Sequence, residues 1–168
     1  MPNITNDVPG DRVPQVRVPQ VDVRGPRFVA WVTTAVIVAT LLVSAVNPAA
    51  AAVIFGLQAV VFAIGAVGGP RRHPYGLVFA KLVAPRLGPV TDTEPVPPLK
   101  FAQLVGFLFA VVGTAGFATG LITVGLIAAG FALIAAFLNA AFGICLGCQL
   151  YPLVTRLRRT SVPAAHTG

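Results

Sequence analysis

All twelve Lys and Arg residues of this 168-residue chain lie outside four long apolar runs, in segments that an even number of membrane crossings brings to one face. The runs are Phe28 to Val46, Ala49 to Val67, Phe101 to Ala118 and Leu121 to about Tyr151, and none contains Lys, Arg, Asp or Glu. A helix covers roughly 30 Å of hydrocarbon with about 20 residues, so each run is long enough to span. Lipid offers no partners to backbone N–H and C=O groups, so the runs must be helical rather than open sheet. A period-two alternation, the mark of a β-barrel, is absent. The expected fold class is an all-α membrane protein with four transmembrane helices in a compact bundle.

Charge then gives orientation. Arg12, Arg17, Arg24 and Arg27 precede the first run. Arg71, Arg72, Lys81, Arg86 and Lys100 lie between the second and third, and Arg156, Arg158 and Arg159 follow the fourth. The connections around Asn47-Pro48 and Thr119-Gly120 carry no charge. Because cytoplasmic loops collect Lys and Arg, both termini and the middle segment are expected inside, in the cytoplasmic (inner) membrane of a bacterium. The same bias accounts for the net charge of +7. The expected partner is a bilayer with anionic headgroups, and nucleic acid is not needed to explain the charge. An apolar share of 56% and a mean hydropathy of +0.84 fit this class.

The domain reading is a disordered tail over residues 1–25, a membrane domain over 26–155 and a basic tail over 156–168. Pro2, Pro9, Pro14 and Pro19 favour extended chain in the first segment, where Arg-Val-Pro-Gln-Val occurs at 12–16 and again at 17–21. The first run is read as a span and not a signal peptide, because it is longer than a normal h-region. Asn47 and Pro48 suit the cap and first position of a second helix, which makes a tight hairpin. Gly68-Gly69-Pro70 stops that helix. Tyr75 to Ala84 is apolar around Lys81 and too short to cross, so a short interfacial helix is expected there. Gly106, Gly113, Gly116 and Gly120 in the third helix, and Gly125, Gly130, Ala136, Ala140 and Gly143 in the fourth, permit close backbone approach. Membrane helices associate through such small residues, so the third and fourth helices are expected to form the tightest pair.

Chemistry concentrates in Cys145-Leu146-Gly147-Cys148, which holds both cysteines of the chain. At i and i+3 of a continuing helix the two thiols share a face, near the inner end of the fourth span. Four readings compete. They are a redox or sulfur-transfer pair, a packing role for small polarizable side chains, half of a thiolate metal site completed in a homodimer, and a structural disulfide, which a reducing cytoplasm opposes. The basic residues from Arg156 onward favour a thiolate, whereas a helix C-terminus opposes it. Asn139 and Gln149 are candidate supporting residues, and with Gln103 and Gln58 they would line a polar cleft. Arg71, Arg72 and His73 form a cationic turn suited to anions or lipid headgroups. No carboxylate or histidine lies in any span, which argues against an ordinary proton-coupled pump. No cofactor and no metal is called for.

Several segments together resemble a bacterial membrane family known as domain of unknown function 4395. They are Asp22 with Pro26-Arg27-Phe28, then Arg71-Arg72-His73-Pro74-Tyr75-Gly76, then Pro97-Pro98-Leu99-Lys100-Phe101-Ala102-Gln103-Leu104-Val105-Gly106. Phe137-Leu138-Asn139-Ala140-Ala141-Phe142-Gly143, followed by Cys145, Gly147, Cys148 and Tyr151, is similar to the family's closing motif. The likeness runs from about Asp22 to Leu157, with Lys100 where the family pattern has Arg. The family has no assigned activity. Its members tend to occur beside thioredoxin-like and sulfurtransferase-like proteins, so the resemblance implies a setting of thiol redox or sulfur traffic and a partner of that kind. The contrasting expectation is a membrane scaffold or small permease subunit in which the cysteines only pack.

Overall fold

The computed structural model describes residues 18–160, with side chains described as far as Arg156. The first copy of the five-residue repeat therefore lies outside the described residues.

Four helices are long and apolar enough to cross a membrane: α1 Arg24–Ser44, α2 Pro48–Gly68, α4 Val96–Ala118 and α5 Ile122–Phe142. They pack side by side, as the charge pattern predicts. The α1–α2 turn is capped as expected, with the Asn47 side chain accepting from the Ala50 N–H at 3.0 Å and Pro48 at the first helical position. Between α2 and α4 runs a short helix, α3 Pro74–Val78, continued by a π turn over Phe79–Val83 and a 3-10 turn over Ala84–Arg86. Lys81 is exposed on it.

The segment ahead of α1 is not wholly unpacked. Strand β1 Gln20–Asp22 pairs antiparallel with β2 Thr93–Pro95, with Val21 opposite Glu94. Arg24 secures this clasp through an ion pair with Asp22 at 2.8 Å and hydrogen bonds to the Gly88 carbonyl at 3.2 Å. The start of α1 and the approach to α4 are thus tied together at one end of the bundle.

Large aromatic side chains of α2 set the packing. Phe55 and Phe62 are buried and lie against Gly113 and Gly106 of α4. A Cβ at Gly106 would sit 2.9 Å from the Phe62 ring. The most extensive helix contact is accordingly α2 with α4, and not the third run with the fourth. The small residues of the third run serve as sockets for the second helix as well as a crossing surface for the next. The α4 and α5 backbones meet closely near their turn, where a Cβ on Gly116 would lie 2.6 Å from the Gly125 nitrogen. Gly130 has no neighbour within 4 Å of such a Cβ and is not a crossing residue. Leu42, Leu57, Leu108 and Phe131 point outward, as hydrocarbon-facing residues should.

The expected single helix over 121–151 is broken. Gly143, at φ 70° and ψ 15°, ends α5 in the left-handed conformation that glycine adopts without Cβ strain. Its N–H donates to the Asn139 carbonyl at 3.1 Å, and that of Ile144 to Leu138 at 3.2 Å. A second helix, α6 Leu146–Thr160, then starts and folds back against α4. It is amphipathic, with apolar residues on one side and Arg156 exposed on the other.

Candidate thiol site

The break places the cysteines at a helix start, where the continuous-helix reading had a helix end. Cys145 immediately precedes α6, and its carbonyl accepts from the Gln149 N–H at 3.1 Å, the first bond of the helix. Its Sγ accepts from the Cys148 N–H at 3.3 Å, the contact an N-cap side chain makes. Positive helix-dipole charge and a backbone donor therefore converge on Cys145, and both stabilise a thiolate there. Cys145 and Cys148 are joined as a disulfide with Cα atoms 5.2 Å apart, inside the ordinary range for such bonds. Both residues are half-buried. Pro152 follows one turn later and has no N–H for the Cys148 carbonyl four residues back.

Gly147, between the cysteines, fixes the site on the bundle. A Cβ there would meet the Ala102 Cα and Cβ at 2.6 Å, so the backbones of α6 and α4 are in direct contact. Phe101 and Tyr151 pack rings beside it at 6.0 Å.

Below Cys145 lies a cavity of about 290 Å³ between α1, α4 and α5. Thr33, Gln103, Asn139 and Cys145 are its polar lining, and the remaining walls are apolar. Of the expected cleft residues, Asn139 and Gln103 reach it, whereas Gln149 is exposed and Gln58 is elsewhere. Thr33 was missed by sequence reasoning. Its signal was available as one of the few hydroxyls inside the first run, but a Thr in a helix more often bonds back to its own backbone, as Thr34 does to Ala30 at 2.8 Å. Thr33 is 2% exposed and its Oγ1 has no such partner.

Gln58 belongs to a second buried polar group. Tyr75 donates to its Oε1 at 2.9 Å, and the His73 ring stands edge-on to Tyr75 at 5.4 Å. His73 does not join Arg71 and Arg72 in an anion-binding turn. It is 1% exposed and packs so tightly on Gly65 that a Cβ there would lie 2.6 Å from its Cδ2, while Arg71 and Arg72 are exposed. Burial pushes the His73 imidazole from its usual 6.5 down to about 4, with Gln103 weakly opposing, so the ring is neutral near pH 7. Among the described residues no three His, Cys, Asp or Glu side chains come together as a metal cluster.

Residues 21–156 match the family described as Domain of unknown function (DUF4395). The chain belongs to this family. The matched span takes in the clasp, all four long helices and the cysteine pair at the start of α6. No curated protein and no solved structure matches the chain.

Proposed function

We propose that this DUF4395 protein is a thiol redox protein of the bacterial cytoplasmic membrane, whose Cys145–Cys148 pair exchanges electrons with a cytoplasmic thioredoxin-like or sulfurtransferase-like partner. The observation that carries this reading is the capped sulfur. Cys145 combines a helix N-terminus with a bond from the Cys148 N–H, which makes it the better leaving thiolate of the two. A partner thiolate attacks the Cys148 sulfur, the Cys145–Cys148 bond breaks, and its electron pair leaves with Cys145. The partner's second thiol then breaks the mixed disulfide. The partner ends as a disulfide and this protein as a dithiol, with two electrons transferred and the thiol protons released and taken up in equal number.

Sulfur transfer is the weaker form of the same reading, because a persulfide on one cysteine would be discharged by its neighbour. Arg156, exposed about two turns beyond Cys148, steers acidic partners toward the site. Arg71, Arg72 and Lys81 meet anionic headgroups on the same face.

The test is partner trapping in intact cells. A Cys145→Ser variant keeps Cys148 as a lone thiol, which attacks the disulfide of an oxidised partner and expels one partner thiolate. With no Cys145 to resolve it, the variant should hold a mixed disulfide that mass spectrometry identifies, while the double Cys→Ser variant holds none. Absence of any adduct, with full complementation of a deletion strain under thiol or thiosulfate stress by Cys145→Ala and Cys148→Ala, would return the protein to the scaffold reading.

A further inference from the structure

The cavity under Cys145 has the features of a ligand site. At about 290 Å³ it lies at the lower edge of the roughly 300–1,000 Å³ of small-molecule pockets. Its polar groups come from separate elements: Thr33 from α1, Gln103 from α4, Asn139 from α5 and Cys145 from the start of α6. One of them is unsatisfied, since Thr33 Oγ1 is buried without a hydrogen-bond partner, whereas the Gln103 carboxamide also lies beside the His73 ring. A polar ligand head in the cavity would satisfy such a group. The lining holds no charged residue and no histidine, so the head is neutral. Hydroxyl and primary amide groups both donate and accept, so they serve a head that is an acceptor in one state and a donor in another.

The cavity adjoins a second recess on the lipid-facing surface. A wholly apolar groove of about 510 Å³ runs along the outer face of α4 and α5 and shares Val105, Phe109 and Phe131 with the inner cavity. The Phe109 and Phe131 rings stack at 6.0 Å where the two meet, and Phe131 is 56% exposed. A neutral head inside and a long apolar tail outside describe the occupant.

We propose that this cavity binds the ring of a membrane quinone, with its prenyl tail in the outer groove, and that the reduced cysteine pair passes two electrons to it. The proposal rests on the dithiol reading above and supplies its second electron partner. The Cys145 thiolate bonds to a ring carbon. The Cys148 thiolate then attacks the Cys145 sulfur, the carbon–sulfur bond breaks, and its electron pair returns to the ring. One disulfide forms, one quinone becomes quinol, and the two thiol protons end on the two quinol oxygens. Cys145 lines the cavity and Cys148 does not, so the two half-reactions use opposite sides of one bond.

The test uses the full-length protein, reduced to the dithiol, in phosphatidylcholine nanodiscs with decylubiquinone as the probe. The expected result is one quinol per disulfide formed, with a rate that saturates in quinone. Gln103→Leu and the isosteric Thr33→Val should each lower the ratio of this rate to the rate of disulfide reduction by dithiothreitol by tenfold or more. Leu57→Ala, on the lipid face, should not. Disulfide exchange with dithiothreitol but no quinol would overturn the quinone site and leave the dithiol reading standing. Unsaturable quinol formation, equal in wild type and both cavity variants, would also overturn it, because the thiols would then be reacting by collision. Failure of both reactions would remove the dithiol reading itself.

Discussion

Gly147 and Ala102 are in backbone contact, so close that a Cβ at 147 would fall 2.6 Å from both Cα and Cβ of Ala102. The residue between the two cysteines is therefore also the one that seats α6 on α4. Position and chemistry of the thiol pair are coupled through this one contact. Gly147→Ala should push α6 off the bundle at an overpacking cost of about 1–3 kcal/mol. The expected signs are a lower melting temperature in detergent and faster reduction of the Cys145–Cys148 disulfide. Unchanged values for both would mean that α6 is seated by other contacts.

Glycines in the long helices should differ sharply in tolerance. Gly113→Leu must displace the buried Phe55 ring and should abolish or severely lower the yield of folded protein. Gly130→Leu enters open space and should match Leu108→Ala, a truncation at a half-exposed lipid-facing site. Thermal unfolding of the three variants in one detergent is the check.

Acid should weaken the structure through His73. Its folded-state pKa of about 4 lies below the usual 6.5, so between these values the unfolded chain binds the extra proton. The contribution is fully present above about pH 6.5, declines as pH falls, and is gone below about pH 4, with an upper bound of about 3 kcal/mol. A His73→Phe variant should lose this part of the acid slope. An identical pH profile in the two proteins would show that the ring is not buried as a neutral base.

Orientation is open to reporters. Fusions after Gly168 and within residues 91–97 should be active only as cytoplasmic reporters, because all the basic segments share that face. Periplasmic activity at either position would contradict the proposed inside location of the thiol pair.

Gly143 shows why part of the site was not legible along the chain. Its neighbours on both sides are apolar, so hydropathy ran on without interruption to Tyr151 and hid the helix end. The available signal was the glycine itself, which commonly terminates helices, but glycine is also frequent inside membrane helices as a packing residue. The two roles are separated only by the left-handed φ of 70°. Once the helix ends there, the cysteines change from a helix C-terminus to an N-terminus, and the sign of the dipole acting on Cys145 reverses.

The burial of His73 is hidden in the sequence for a related reason. Beside Arg71 and Arg72 it looked like part of a charged turn, since sequence proximity says nothing about which side of the turn faces the bundle. Gly65, eight residues earlier on α2, leaves the space that the ring fills.

By itself the sequence determined the number of long helices, the approximate bounds of the first three, the confinement of the basic residues to the segments between and beyond the apolar runs, the hairpin cap at Asn47 and the presence of a cysteine pair. These follow from local composition acting against the bilayer, where every apolar run of sufficient length has one available structure. Tertiary structure alone decided that α2 packs its aromatic residues on α4, that Thr33 joins Gln103 and Asn139 around a cavity, and that Cys145 opens onto it. Those depend on side-chain shape between segments far apart in the chain, and in a membrane the hydrophobic effect does not choose which faces meet.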